Sequence, residues 1–432
     1  MKKLKTILYC SFVFPLLLGA DSLERLLKEN INTHPKIKSS LANYQSKLYE
    51  LDKAKAGYSP TLDFSAEYGK EKSKIASSFK GSRELNAKSS RLLGKYNLFD
   101  GFKTKHEIAE KESAVAVAKN KLFQTVNKLS LLIIQVYLEV LRRKELLEIE
   151  HQNVRNHLDS LEKVKRRLKE GEGYESDLRQ TKARVKLAQT NYLIREREYK
   201  NAEINYQIVI RKKPITSSMY TPVTTLLFSE KQIKSLILEA QKKSYLAQIQ
   251  NHKIEISKSI YQQQGAKDYP TINLEVSQTW SDNLNGFKGK DESSKVALVL
   301  NYNFYNGGAN KASQLSALQT SEMNIYELDD IKLDIEGKIR VALMKYEMLE
   351  RQEKLLDEQL EFLQGTRELY EIEYQHNKRT VIDLLNIKQE YNYARSQKTN
   401  VHYDKIVAYF QFKNSMGNLI DEFHLNDILD RR

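Results

Sequence analysis

One cysteine occurs in 432 residues, and it is Cys10, inside an apolar N-terminal run. Bulky Leu8-Tyr9 ahead of it do not form a lipid-attachment box. Once that run is removed the chain carries no thiol, which excludes a disulfide framework and a cysteine metal site. Proline is scarce as well, at six. Pro35, Pro60, Pro214, Pro222 and Pro270 each stand where one predicted element gives way to another. Long apolar stretches are missing: the longest after the N-terminus, residues 129–141, is short and broken by Gln135 and Glu139. A membrane-spanning helix needs about 20 apolar residues, so none is predicted. The eight histidines are scattered, with no H-E-x-x-H and no Cys/His ligand set, and His151 and His157 do not share a helix face. The 16 glycines form no phosphate loop. No enzyme chemistry, cofactor or metal is expected from this inventory. The net charge of +14 comes from lysines interleaved with glutamates. Without a dense basic patch it reads as solvated helix faces and not as a nucleic-acid surface.

The N-terminus reads as a secretory signal over residues 1–20. Lys2, Lys3 and Lys5 form the basic start, residues 7–18 the apolar core, and Leu18-Gly19-Ala20 the small-residue cleavage site.

What the sequence has in abundance is itself. Tyr96-Asn97-Leu98-Phe99-Asp100-Gly101 recurs as Tyr302-Asn303-Phe304-Tyr305-Asn306-Gly307, at a shift of 206. The same shift carries Asp177-Leu178 onto Asp383-Leu384 and Ala188 onto Ala394. A shift of 210 carries Ser59-Pro60-Thr61-Leu62 onto Tyr269-Pro270-Thr271-Ile272. Solenoid repeats have periods of about 20–50 residues, so one large unit is duplicated, over residues 21–225 and 226–432. Each half holds a helix, two strands and two long helices. The long helices are predicted at about 102–170 and 175–212, then 309–376 and 380–416, with shorter ones at 36–57 and 230–266. Residues 102–170 contain no glycine or proline, enough for a rod of about 100 Å. Apolar residues at spacings of three and four, such as Leu178, Val185, Ala188 and Tyr192, give the narrow stripe of coiled-coil packing.

Strands are predicted at about 60–70, 90–100, 270–281 and 294–305. Leu62, Phe64, Ala66 and Tyr68 alternate with Thr61, Asp63, Ser65 and Glu67. Ile272, Leu274, Val276 and Trp280 form one face of the third run; Val296, Leu298, Leu300, Tyr302 and Phe304 form one face of the fourth. This alternation fits an outer-membrane barrel with aromatic girdles; taken alone it also fits a sandwich with one wet face. Four strands cannot close a barrel, and edges in lipid are forbidden, so a barrel requires several copies.

The layout resembles the TolC family of outer-membrane export channels over the whole processed chain. The resemblance is carried by residues 56–62 (Ala-Gly-Tyr-Ser-Pro-Thr-Leu) and by the strand exits Asn97-Leu98-Phe99-Asp100-Gly101 and Asn303-Phe304-Tyr305-Asn306-Gly307. Two hairpin tips carry it as well, at residues 167–178 and 374–385. It implies a homotrimer with a 12-stranded barrel, four strands per chain, continued by a periplasmic helical coiled-coil tunnel. It also implies docking with a periplasmic adaptor and an inner-membrane transporter, for drug efflux or type I secretion. The runner-up from another class is a non-conducting, structural or adhesive trimeric coiled coil.

The resemblance implies a periplasmic gate at Tyr374, Arg379, Asp177 and Ser176, with Arg379 to Asp177 as the natural tie. Solvated helix starts would explain the same residues. Asp383 aligns with a pore-facing aspartate, three copies of which form an acidic ring; Thr380 and Asp383 also spell a near capping box. A second acidic ring of the family is replaced here by Asn386. The adaptor-contacting tips are Gly171 and Asn377, where asparagine stands in place of the usual glycine.

Overall fold

A computed structural model describes residues 23–73, 83–226, 230–376 and 378–425. The predicted signal, the loop between the first two strands and Asn377 lie outside the described residues. Among the described residues nine helices and four strands follow in order: α1 (Leu23–Thr33), α2 (Pro35–Lys55), β1 (Thr61–Ser73), β2 (Arg83–Phe99), α3 (Lys103–Lys169), α4 (Glu175–Ile210), α5 (Glu230–Lys243), α6 (Tyr245–Gly265), β3 (Thr271–Asp282), β4 (Lys290–Asn301), α7 (Ala309–Gln375), α8 (Val381–Met416) and α9 (Leu419–Glu422). Short 3-10 turns at Ala56–Tyr58 and Ala266–Asp268 lead into β1 and β3. The helix expected over 230–266 is two helices, parted at Ser244, whose backbone is non-helical. β2 starts at Arg83, earlier than the apolar alternation shows, because the face that carries Leu92 further on bears Glu84, Asn86, Lys88 and Ser90 in the first half. β4 ends at Asn301, which puts Tyr302 and Phe304 beyond the strand.

Two compact units each draw on both sequence repeats. One contains residues 35–126 and 234–337 and holds the sheet. Its strands run β1-β2-β3-β4, antiparallel throughout. Cross-strand partners share a face, so the register decides what each face presents. Phe64 opposes Leu92, Tyr96 opposes Leu274, and Leu274 and Val276 oppose Leu298 and Val296. On the other face Ser65 opposes Arg91, Lys95 opposes Glu275, and Ser277 opposes Lys295. The apolar face is bare: Leu62, Phe64, Val296 and Leu298 are about 70 % exposed. Deeper in this unit Gln250 donates to the Asn324 carbonyl at 3.0 Å, and Phe123 stacks on Tyr245.

The strand exits depend on glycine. Gly101 has φ +70, and a Cβ there would lie 2.5 Å from the Ala266 carbonyl oxygen. Gly307, its counterpart in the repeat, has φ +68 with nothing within 4 Å. Gly307→Ala should therefore cost only the backbone term, about 1–2 kcal/mol. Gly101→Ala adds an overpacking cost of about 1–3 kcal/mol. Thermal denaturation of the two variants checks the order; equal losses would contradict it.

The other unit contains residues 127–233 and 338–432 together with α1. Tyr137 and Tyr346 are buried and pin the irregular segment that follows α4. Tyr137 Oη donates to the Tyr220 carbonyl (3.1 Å) and accepts from its N–H (2.8 Å). Tyr346 does the same with Thr224 and Leu226. Each of the 36-residue helices α4 and α8 buries two alanines fourteen residues apart: Ala188 and Ala202, then Ala394 and Ala408. Small residues at these heights let helix backbones approach closely. Among the described residues no helix is long and apolar enough to cross a membrane.

Candidate functional site

The hairpin tips are built twice on one backbone plan. After α3 the Glu172 N–H bonds to the Arg167 carbonyl (2.9 Å) and the Gly171 N–H to the Leu168 carbonyl (3.2 Å). This is a Schellman closure, with Gly171 at φ +79. After α7 the Lys378 N–H bonds to the Glu373 carbonyl (2.8 Å), the counterpart of the Glu172 bond shifted by 206. The next helices then start differently. Tyr174 caps α4 with no side-chain hydrogen bond. Thr380 caps α8 with a full capping box. Its Oγ1 accepts from the Asp383 N–H at 3.2 Å, and Asp383 Oδ2 accepts from the Thr380 N–H at 3.1 Å. Hydrogen bonds from the Thr380 hydroxyl and N–H hold the Asp383 carboxyl below its ordinary value.

Between the hairpins lies an apolar cluster that includes Leu161 and Val164 of α3, Leu178 and Val185 of α4, Leu363 and Tyr374 of α7, and Leu384 and Leu385 of α8. Tyr374 is 5 % exposed. The Arg167 guanidinium lies 5.0 Å from the centre of its ring and 3.9 Å from Glu172. Arg167 thus spans from the first hairpin to the second.

The expected tie from Arg379 to Asp177 does not form within the chain. Arg379 Nε donates to Glu373 Oε2 at 2.7 Å, and the guanidinium stacks over Tyr370 at 4.2 Å. Both partners sit in the last turns of α7, so this contact orders less chain than a reach to the other hairpin. Ser176 is exposed and Asp177 half-buried at the start of α4. Of the four residues, only Tyr374 joins the cluster between the hairpins.

Ion pairs connect the helices where no motif marked them. Glu371 of α7 pairs with Lys163 of α3 and with Lys388 Nζ of α8 at 3.3 Å. Arg184 of α4 donates to Asn386 Oδ1 of α8 at 2.9 Å, so the departure at Asn386 is a helix-to-helix hydrogen bond. Asn392 Nδ2 of α8 donates to Asn153 Oδ1 of α3 at 2.7 Å. A signal existed for two of these pairs: Lys163–Glu371 and Arg184–Asn386 are 208 and 202 residues apart, close to the repeat shift, whereas Asn153–Asn392, 239 apart, had none.

A four-stranded sheet with one bare apolar face, in a chain with duplicated 67- and 36-residue helices, defines an outer-membrane channel protein. The pattern described as "Outer membrane efflux protein" matches residues 26–207 and 238–418, and the chain belongs to that family. It is 21 % identical over 337 residues to the outer membrane efflux protein BepC of Brucella suis biovar 1 (strain 1330), covering 74 % of this chain and 70 % of that one. Its fold matches a membrane protein from Pseudomonas aeruginosa with a TM-score of 0.80 at 15 % identity, covering 91 % and 93 % of the two chains. It also matches the outer membrane protein VceC of Vibrio cholerae with a TM-score of 0.76 at 14 % identity, covering 91 % and 96 %. The protein is an outer-membrane efflux channel.

Proposed function

We propose that three copies form one passive duct, a 12-stranded barrel continued by a helical tunnel that closes at its periplasmic end. The sheet carries this reading. Its outer strands β1 and β4 are 13 and 12 residues long, and each pairs on one side only among the described residues. A lipid-facing sheet must close, and pairing β4 of each copy with β1 of the next closes it.

The helices likewise call for further copies. On α7, Val341, Met348, Leu355, Phe362 and Leu369 recur every seven residues, and all are exposed in the single chain. On α4, Leu187, Ile194 and Ile208 are exposed on the same period. Sevenfold apolar seams call for partner helices, here those of the adjoining copies.

Tyr374, Arg379, Ser176 and Asp177 form the gate region, and Asp383 supplies an acidic ring while also capping α8. Gly171 and Asn377 mark the tips offered to a periplasmic adaptor and its inner-membrane transporter, which select the cargo. Multivalent-cation block of single channels tests the ring. Asp383→Ala should abolish the block while native mass spectrometry still reports three chains; undiminished block would refute the ring.

A further inference from the structure

Four helices meet around Glu371, Lys388 and His157. The Glu371 carboxylate holds Lys163 of the first hairpin and Lys388 of its own hairpin. The Lys388 side chain is only 12 % exposed, so losing this anion would leave a nearly dry ammonium without a counter-charge. Burial alone would raise Glu371; the hydrogen bond from Lys163 and the charge of Lys388 reverse this and hold it below the ordinary carboxylate value. Burial also pushes Lys388 below the ordinary lysine value, with Glu371 offsetting part of the effect.

His157 of α3 belongs to the same cluster. It is 5 % exposed, and its Nδ1 has no hydrogen-bond partner. The charges acting on it are Arg184 from α4 and Lys388 from α8. Arg184 is itself anchored to Asn386 and Gln389 of α8. From α7 comes Glu371, already shared by two lysines, and His157's own helix adds Lys163, one of them. Among the described residues no carboxylate acts on His157 to welcome an imidazolium.

We propose that Glu371 is a latch holding the two hairpins together in the closed periplasmic end, and that protonation of His157 releases it. This rests on the gated-duct reading above. A proton on His157 places another cation beside Lys388 and Arg184, where the Glu371 carboxylate is already taken by two lysines. Moving α3 away from α4 and α8 relieves the repulsion and lets the imidazolium reach water.

The direction follows from linkage. Burial first, then Arg184 and Lys388, push His157 down to about 4 while the helices are packed as here, the arrangement the latch would hold. Once exposed to water it returns toward the ordinary value of about 6.5. The open form therefore binds the proton more tightly. The closed form is fully favoured above about pH 6.5, and its advantage is lost as pH falls toward 4. At pH 5 the two values bias the equilibrium toward opening by up to about 30-fold per chain.

Planar-bilayer conductance at about pH 7.5 and about pH 5 tests this. Wild type should conduct at least about tenfold more at the lower pH. Glu371→Gln should be open already at neutral pH, and Glu371→Asp, which keeps the charge, should stay closed. Lys163→Gln, at a half-exposed position that leaves Lys388 paired, should give an intermediate increase. His157→Gln should remain trimeric on a native gel and lose the acid response. A flat wild-type pH profile, or a His157→Gln variant that keeps the rise, overturns acid release. If Glu371→Gln and Lys163→Gln stay closed while Tyr374→Phe/Arg379→Ser conducts, the latch is wrong and the gate stands. Silence from every variant at both pH values overturns the duct itself.

Discussion

Val276→Arg should abolish assembly into the outer membrane. Val276 lies on the bare apolar face, opposite Gly94 on one side and Val296 on the other. A charge on the lipid face of a barrel costs about 2–4 kcal/mol at mid-membrane. Three copies per barrel multiply that to roughly 6–12 kcal/mol, comparable with the whole stability of an ordinary domain. The control is the next residue: Ser277→Arg points to the opposite, polar face, beside Leu93 and Lys295. It should assemble normally. Membrane fractionation followed by native gel electrophoresis reads both variants. Equal assembly of the two would contradict the assignment of faces.

The second large effect is expected on the helical seam. Leu355 and Phe362 are 66 % and 75 % exposed in the isolated chain, which is how an interface looks before its partner arrives. Burying such a side chain is worth about 1.5–3 kcal/mol. Leu355→Glu/Phe362→Glu forfeits two of them in each of three copies, on the order of 10 kcal/mol per trimer. The double variant should run as a single chain in analytical ultracentrifugation while keeping its helical circular dichroism. Retention of a stable trimer would show that this face of α7 is not an interface.

Much of this architecture was legible in the sequence for identifiable reasons. The shift of 206 survives in the backbone: Glu172 to Arg167 and Lys378 to Glu373 are the same bond in both repeats. Strand alternation was legible wherever one face is apolar, as at Leu62, Phe64, Ala66 and Tyr68. It failed over the first half of β2, where Glu84, Asn86, Lys88 and Ser90 fill the face that turns apolar at Leu92, and the other face offers only Leu85 and Ala87. The break at Ser244 escaped notice because serine is a tolerable helix residue and no proline or glycine marks it.

The site was harder to read than the fold. Position in a motif identified Tyr374 and Asp383, and the structure puts both at the hairpin tips, Tyr374 buried and Asp383 in a capping box. Motif position paired Arg379 with Asp177, and within the chain that pairing is not made. Asp177, Glu373 and the Tyr370 ring are all chemically suitable, and the nearby turn decides in favour of Glu373 and Tyr370. Glu371, Lys388 and His157 belong to no motif. Their meaning comes from burial and from which helices pack together, neither of which a local pattern encodes.

The central claim, a gated trimeric duct, is tested most directly by planar-bilayer conductance of purified wild type beside Tyr374→Phe/Arg379→Ser at neutral pH. The account predicts discrete channels from both, small for wild type and several-fold larger for the variant. Silence from both proteins would contradict it.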